Sequence, residues 1–342
     1  MSTDARSVDA PGTAVSLLQM MTGYWVSQAI YVAAKLGIAD HMAGGAAESK
    51  DLADATHTDA QSLQRLLRAL VSVGVFSEAR PGEFGLTPVS ALLRTGTPDS
   101  MRALAIMYNE EQYRAWADLL FSVRTGKSAF EHTFGTGIFE YFRENPEPAR
   151  TFGEAMTAWT NQLAGAVVAS FDFSPFNTVV DIGGSHGTLL AAILRKNPAT
   201  RGILFDLPNV IAGAVGYLAA EGVADRCTRI AGDFFEAVPA GGDLYVLAQI
   251  LHDWDDERCV AILRRCRAAQ RDGGKLLIVE LVLPPGDEPF FGKWLDLHML
   301  VMASGRERTA AEYQQLLQAA GFELIRVQPT AAGASVVEAV ST

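Results

Sequence analysis

Thr178-Val-Val-Asp-Ile-Gly-Gly-Ser-His-Gly187 is where the character of the chain changes. The β-branched run Thr178–Ile182 reads as a strand, the glycines that follow read as a tight turn, and a helical pattern begins immediately after. Gly183, Gly184 and Gly187 let the backbone turn sharply and approach a ligand without a Cβ in the way. This is not the dinucleotide fingerprint. Counted from Gly183, that pattern needs glycine at 185 and 188, where Ser185 and Thr188 stand, so a pyrophosphate is disfavoured. Alone the loop is a weak signal, because glycine-rich strand-to-helix turns are common.

Downstream, short apolar runs alternate with helical segments. Gly202–Phe205, Thr228–Ala231, Asp243–Ala248 and Lys275–Leu281 are strand candidates, and alternation of this kind specifies a parallel sheet covered on both faces. Phe322–Val327 and Ser335–Ala339 follow with no helix between them, which predicts an antiparallel hairpin at one edge of a seven-stranded, mostly parallel, Rossmann-like α/β sheet.

Upstream, the chain reads as helical. Val15–Leu36 carries apolar residues at helical spacing and ends at Gly37, a natural C-cap. Asp51–Asp54 and Asp59–Val73 form a helix-turn-helix pattern, and Gly74-Val-Phe, Pro81-Gly82 and Glu83-Phe-Gly-Leu-Thr supply a short ribbon, the outline of a winged helix. From Glu48 to Asp99 five basic residues (Lys50, Arg65, Arg68, Arg80, Arg94) face seven acidic ones, whereas a groove-reading module should be basic. A packing or dimerisation domain is the better reading. Further helices are expected over Met101–Val123 and Pro148–Ser170, giving three regions: 1–100, 101–170 and 171–342.

Bulk composition narrows the function classes. A net charge of -11 argues against nucleic acid and anionic membranes as partners. Leu17–Met42 is broken by Gln28, Lys35, Gly37 and Asp40, so it reads as a buried or interfacial amphipathic helix and not a membrane span. Met1–Pro11 is polar and lacks the order of a signal peptide. Cys227, Cys259 and Cys266 form no metal or redox pattern and read as reduced core thiols of a cytoplasmic protein.

Strand ends are where such sheets hold ligands. Asp206 closes the second strand, where an acid can accept two ribose hydroxyls, and Asp233-Phe234 follows the third, placing a carboxylate and an aromatic face beside a purine. Together they describe a nucleoside site without phosphate binding. S-adenosylmethionine fits, and an acidic mouth suits its sulfonium. The competing reading of each acid is a loop carboxylate or helix cap. Leu251-His-Asp-Trp-Asp-Asp256 ends the fourth strand, and a neutral imidazole there is poised to accept a proton near pH 7. The alternative is that His252 only caps the next helix.

Taken in order, DIGGSHG, LFDLP, GDFFE, LHDWDDE, GGKLLIVELVLP and GRERT resemble the O-methyltransferases of plant phenylpropanoid and bacterial natural-product pathways, over essentially the whole chain. The resemblance implies a homodimer built on a helical N-terminal domain, S-adenosylmethionine as cofactor and a small aromatic hydroxyl as acceptor. It implies cofactor contacts from Gly183, Gly184, Gly187, Asp206, Leu207, Asp233, Phe234, Gln249 and Thr160. His252 matches the family's base, with Glu280 and Glu307 flanking it. Phe152, Met156 and Trp159 fall on one acceptor wall, Met299 and Met302 on the opposite one, and no metal is implied. Three positions depart from the pattern: Ser185 replaces a loop glycine, Ala248 replaces a lysine four residues before the histidine, and Trp159 stands where plant relatives often carry a smaller group. Rival readings are a catalytically silent cofactor-binding protein, a same-fold enzyme acting on nitrogen or carbon or by hydroxylation or decarboxylation, and a winged-helix regulator.

Overall fold

A computed structural model describes residues 12–342, so the polar opening segment Met1–Pro11 lies outside the described residues. The chain forms two compact units, one ending at Asn109 and one running from Glu110 to Thr342.

The first unit contains α1 (Thr13–Met21), α2 (Gly23–Lys35), α3 (Ile38–His41), β1 (Ala47–Glu48), α4 (Ser49–Thr56), α5 (Ala60–Ser72), β2 (Phe76–Arg80), β3 (Glu83–Leu86), α6 (Pro88–Ala91) and α7 (Arg102–Met107). The expected winged helix is present: α4 and α5 precede the β2-β3 hairpin, and β1, from before α4, joins it in strand order β1-β3-β2. Its core gathers Leu52, Leu63, Leu67, Leu70, Phe76 and Phe84. The single helix expected over Val15–Leu36 is two, interrupted at Thr22, whose ψ of 4° departs from the helix and whose Oγ1 also bonds the Leu18 carbonyl at 2.8 Å. None of α1 is buried, and Leu17, Leu18, Met20, Met21, Tyr24 and Trp25 are all exposed.

The second unit starts with α8 (Glu111–Trp116), α9 (Leu119–Thr125), α10 (Ala129–Phe134), α11 (Ile138–Glu144) and α12 (Pro146–Ser170). The helix expected over Met101–Val123 is therefore three short ones. Asn109 leaves the ladder to bond back to the Ala105 carbonyl at 3.0 Å, and Glu110 has a non-helical ψ of -107°. Then come β4 (Thr178–Ile182), α13 (Thr188–Lys196), β5 (Arg201–Asp206), α14 (Pro208–Ala220), β6 (Cys227–Ala231), β7 (Leu244–Ala248), α15 (Asp256–Ala269), β8 (Lys275–Glu280), α16 (Phe291–Ala303), α17 (Ala310–Ala320), β9 (Phe322–Pro329) and β10 (Ser335–Ser341).

The seven strands lie in the order β6-β5-β4-β7-β8-β10-β9, parallel except for β10, which runs antiparallel to both neighbours. The hairpin is at the edge as expected, but its later strand is the inner one. Successive residues point to opposite faces: Val179, Leu204, Val246 and Leu277 pack under α12 and α13, while Val180, Phe205, Leu247 and Ile278 pack under α15 and α17. Cys227, Cys259 and Cys266 are free and buried. No described helix is long and apolar enough to cross a membrane.

Candidate active site

The carboxyl ends of the parallel strands β4, β5, β7 and β8 lie along one edge of the sheet, and the chain leaving β7 delivers the histidine. The chain leaves β7 through Gln249, whose φ of 56° is left-handed, a conformation that costs a non-glycine residue about 1–3 kcal/mol. That turn aims the next two backbone N–H groups at Glu280 on β8, where Ile250 and Leu251 each donate to Oε1 at 3.0 Å. Leu251–Asp253 then forms one 3-10 turn carrying His252. The cap of α15 is Asp255, which accepts the Arg258 N–H at 2.8 Å, so the reading of His252 as a mere helix cap is wrong.

The segment 305–309 clamps the turn from its other side. Arg306 N–H donates to the His252 carbonyl at 2.9 Å. Arg308, fully buried, donates to the carbonyls of Leu251 and Trp254 at 2.8 Å each and pairs with Asp256, which supplies the counter-charge a buried guanidinium requires. A Cβ on Gly305 would lie 2.0 Å from the His252 carbonyl oxygen.

His252 Nδ1 donates to Glu307 Oε1 at 2.7 Å and lies 3.6 Å from Glu280 Oε2, while Nε2 lies 3.7 Å from Asp253 Oδ1. Among the described residues these three groups, His252, Glu280 and Glu307, form the one cluster whose ligand-type atoms fall within 4.8 Å of each other. Glu307 Oε1 is bonded to His252 and both Glu280 oxygens accept N–H donors, while Glu307 Oε2 is buried with no hydrogen-bond partner. Burial pushes His252 down, but Glu280, Glu307 and Asp253 outweigh it and raise its pKa well above the ordinary histidine value. Burial likewise raises Glu280 to about 8 and Asp253 to about 6, each against the pull of His252. The cluster titrates as a unit.

The glycine loop is demanded by the protein itself. A Cβ on Gly183 would lie 2.4 Å from Ile250 Cδ1, one on Gly184 2.4 Å from Asp181 Oδ2, and one on Gly187 3.0 Å from Leu218. Ser185 sits at a φ of 53° and donates its N–H to Asp206 Oδ2 at 2.8 Å, while Leu207 N–H donates to Oδ1 at 2.7 Å. Each Asp206 oxygen keeps a free lone pair for a further donor. Phe234 lies beside Gly183 and meets Trp254 edge-on, and Asp233 accepts the Phe235 N–H at 2.8 Å. Asp181, completely buried with neither carboxylate oxygen hydrogen-bonded, is pushed by burial up to about 7. Acids and an aromatic ring without a phosphate-binding lysine are the donor set of an adenosyl sulfonium, so the residues fit S-adenosylmethionine.

On α12, Trp159 joins Met299, Leu281, Leu295 and Phe290 in one apolar cluster, with Phe291 at 5.9 Å. Met156 and Thr160 are partly buried neighbours on the same helix. Phe152 packs on Phe142 at 4.7 Å, and Met302 belongs to a separate cluster around Phe130. Trp159 Nε1 donates to Gln249 Oε1 at 3.1 Å, and Gln249 Nε2 donates to Glu280 Oε2 at 2.9 Å. Sequence reading missed three of the supports. Arg308 lies inside the GRERT block and was readable as part of it, whereas His298, which accepts the Trp116 N–H at 2.8 Å, and Asp296, which accepts the Glu307 N–H at 2.9 Å, carry no local signal.

Two family descriptions match the chain: an O-methyltransferase dimerisation domain over residues 18–96 and an O-methyltransferase domain over 116–323. The chain is 59% identical to phenazine O-methyltransferase PhzM of Lysobacter antibioticus, covering 94% of this chain and 95% of that one. It is 45% identical to the 3-amino-4-hydroxybenzoate 4-O-methyltransferase of Streptomyces cremeus, over 92% and 87% of the two chains. The crystal structure of LaPhzM superposes with a TM-score of 0.94 at 58% identity, covering 96% of this chain and 99% of that one. The chain belongs to the S-adenosylmethionine-dependent O-methyltransferases of bacterial natural-product biosynthesis.

Proposed function

We propose that this enzyme methylates a hydroxyl of a planar, nitrogen-containing aromatic metabolite, a hydroxyphenazine or a compound of similar shape, with His252 as general base. One observation carries the mechanism: the 2.7 Å bond from His252 Nδ1 to Glu307 leaves Nε2 as the ring atom free to meet an acceptor. A carboxylate only accepts, so Nδ1 holds a proton and the base is Nε2. Identity of 59% to a phenazine O-methyltransferase and the apolar cluster of Trp159 and Met299 support the acceptor class.

Bound S-adenosylmethionine supplies an electrophilic methyl and a positive charge. Asp206 would hold the ribose, with Leu207 beside it, and Asp233 and Phe234 the adenine, with Gly183, Gly184, Gly187, Gln249 and Thr160 completing the cofactor's surroundings. Glu280 and Glu307 raise the proton affinity of His252 in the resting protein, and a cation nearby offsets them, so that Nε2 is neutral when the acceptor hydroxyl arrives. His252 Nε2 would take the hydroxyl proton as the acceptor oxygen bonds the methyl carbon and the sulfonium C–S bond breaks, the neutral thioether leaving, a contribution from the base of about 10²–10⁴-fold. Phe152, Met156, Trp159, Met299 and Met302 would hold the acceptor ring and keep water out, and the alignment they provide supplies much of the remaining rate.

The exposed apolar residues of α1 and the match to a dimerisation domain support a homodimer. We assign residues 1–100 to that role, 101–170 to the acceptor wall, 171–342 to cofactor binding and catalysis, and the whole to the cytoplasm. Incubation with labelled cofactor and either 1-hydroxyphenazine or 3-amino-4-hydroxybenzoate, followed by mass spectrometry, tests the acceptor. An O-methyl product is expected. Methylation at ring nitrogen, or cofactor binding with no transfer to any hydroxyl, overturns the reading.

A further inference from the structure

We propose that Trp159 and Gln249 are positioning residues: a one-way chain of hydrogen-bond donors runs from the Trp159 indole on α12 through the Gln249 amide to Glu280, and orients that carboxyl group behind His252 while favouring its charged form. The inference deepens the functional reading above and rests on it for its kinetic consequence only.

The direction of the chain follows from chemistry. An indole nitrogen can only donate, so the amide oxygen of Gln249 must face Trp159 and its nitrogen must face Glu280. The two amide protons then go to Glu280 Oε2 at 2.9 Å and the Val279 carbonyl at 3.3 Å. Glu280 Oε1 is already filled by the Ile250 and Leu251 N–H groups. Every donor at Glu280 therefore favours its charged form, against a complete burial that favours the neutral one. The oxygen Gln249 serves is the one 3.6 Å from His252 Nδ1, so whatever sets the charge on Glu280 also sets the proton affinity of the base.

The left-handed φ of 56° at Gln249 supports a selected role, since this backbone aims the amide between β8 and α12 and is strained for any side chain. The other charged or titratable groups facing the pair are few. Glu307 and Arg308 come from the 305–309 segment, Asp253 from the turn itself and His298 from α16, while Cys259 on α15 and Tyr313 on α17 face Glu280. None of them donates a hydrogen bond to Glu280 Oε2; among the described residues Gln249 is the donor there.

The test is a nuclear magnetic resonance titration of the His252 ring in histidine-labelled full-length protein with nothing bound, the signal assigned by its loss in His252→Asn. In Gln249→Met, which keeps length but removes the donor, His252 should titrate about half a unit to one unit lower than in the parent. Trp159→Phe keeps an aromatic ring in the apolar cluster but removes the N–H together with the fused five-membered ring, and should move His252 in the same direction by less. The double variant should shift no further than Gln249→Met alone, because both act through one bond. With 3-amino-4-hydroxybenzoate as acceptor, the acid limb of kcat should move to lower pH in the same order. An unmoved His252 titration in both variants, or shifts that add, overturns the proposal. An enzyme that transfers no methyl to any hydroxyl defeats the functional reading while leaving the titration result to stand or fall separately.

Discussion

Gly305→Ala puts the account of the His252 turn at risk most directly outside the catalytic residues themselves. The added Cβ would sit 2.0 Å from the His252 carbonyl oxygen and 2.7 Å from the Asp253 carbonyl carbon, both backbone atoms that no side-chain rotation can clear. The first is about 1.4 Å inside ordinary contact, so the turn or the 305–309 segment must move by roughly 1 Å. Both are pinned, by Arg306 N–H on the His252 carbonyl and by Arg308 on the carbonyls of Leu251 and Trp254. Overpacking against fixed backbone costs about 1–3 kcal/mol, which at about 2–4 °C per kcal/mol lowers Tm by roughly 2–12 °C. A displacement of about 1 Å at the reacting group costs on the order of 10²-fold in kcat. Cofactor affinity should hold, because Asp206, Asp233 and the glycine loop lie on other strands. Steady-state kinetics, scanning calorimetry and cofactor titration read the three quantities. A kcat within about threefold of the parent, despite a lower Tm, would refute the claim that the 305–308 clamp sets the position of His252.

Two further outcomes follow from buried and exposed groups. Asp181 has its pKa raised to about 7 by burial, so the folded protein holds a proton that the unfolded chain releases near pH 4. Stability from this group is therefore fully present below pH 4 and is lost as pH rises to about 7, by up to roughly 4 kcal/mol. Asp181→Asn should accordingly stabilise the cofactor-free protein more at pH 8 than at pH 5, as read by urea midpoints, and an equal gain at both would contradict the assignment. In the first unit, Met20 is 77% exposed on a helix that buries nothing, so Met20→Asp should yield monomers in sedimentation at concentrations where the parent is dimeric. An unchanged dimer would show that α1 is not the interface.

Much of this architecture was legible because periodicity survives in sequence. β4 was read to the residue, and all seven strands of the sheet were placed, since each is a short apolar run bounded by turn residues. Helix interruptions were not readable where polar side chains bond back to their own helix, as Thr22 and Asn109 do. The inversion of the last two strands was also hidden, because a hairpin in sequence does not say which strand faces the sheet. At the site, strand-end position singles out Asp206 and His252 as candidates, whereas Glu280 and Glu307 become candidates only through family resemblance. The intramolecular reason for the glycines was not readable. They are needed against Ile250, Asp181 and Leu218, contacts between distant segments that no local pattern records. Gln249 was expected beside the cofactor; that it joins Trp159 to Glu280 depends on pairs 90 and 31 residues apart.

The central claim is that His252 removes the acceptor proton, and the pH dependence of kcat in His252→Ala beside the parent tests it. In the parent, kcat should rise with pH through one ionisation, that of His252 in the complex with cofactor and acceptor. In His252→Ala that limb should disappear and kcat should fall by about 10²–10⁴-fold, with cofactor binding by calorimetry retained. A variant that keeps kcat within about threefold of the parent, with the same pH limb, would contradict the account.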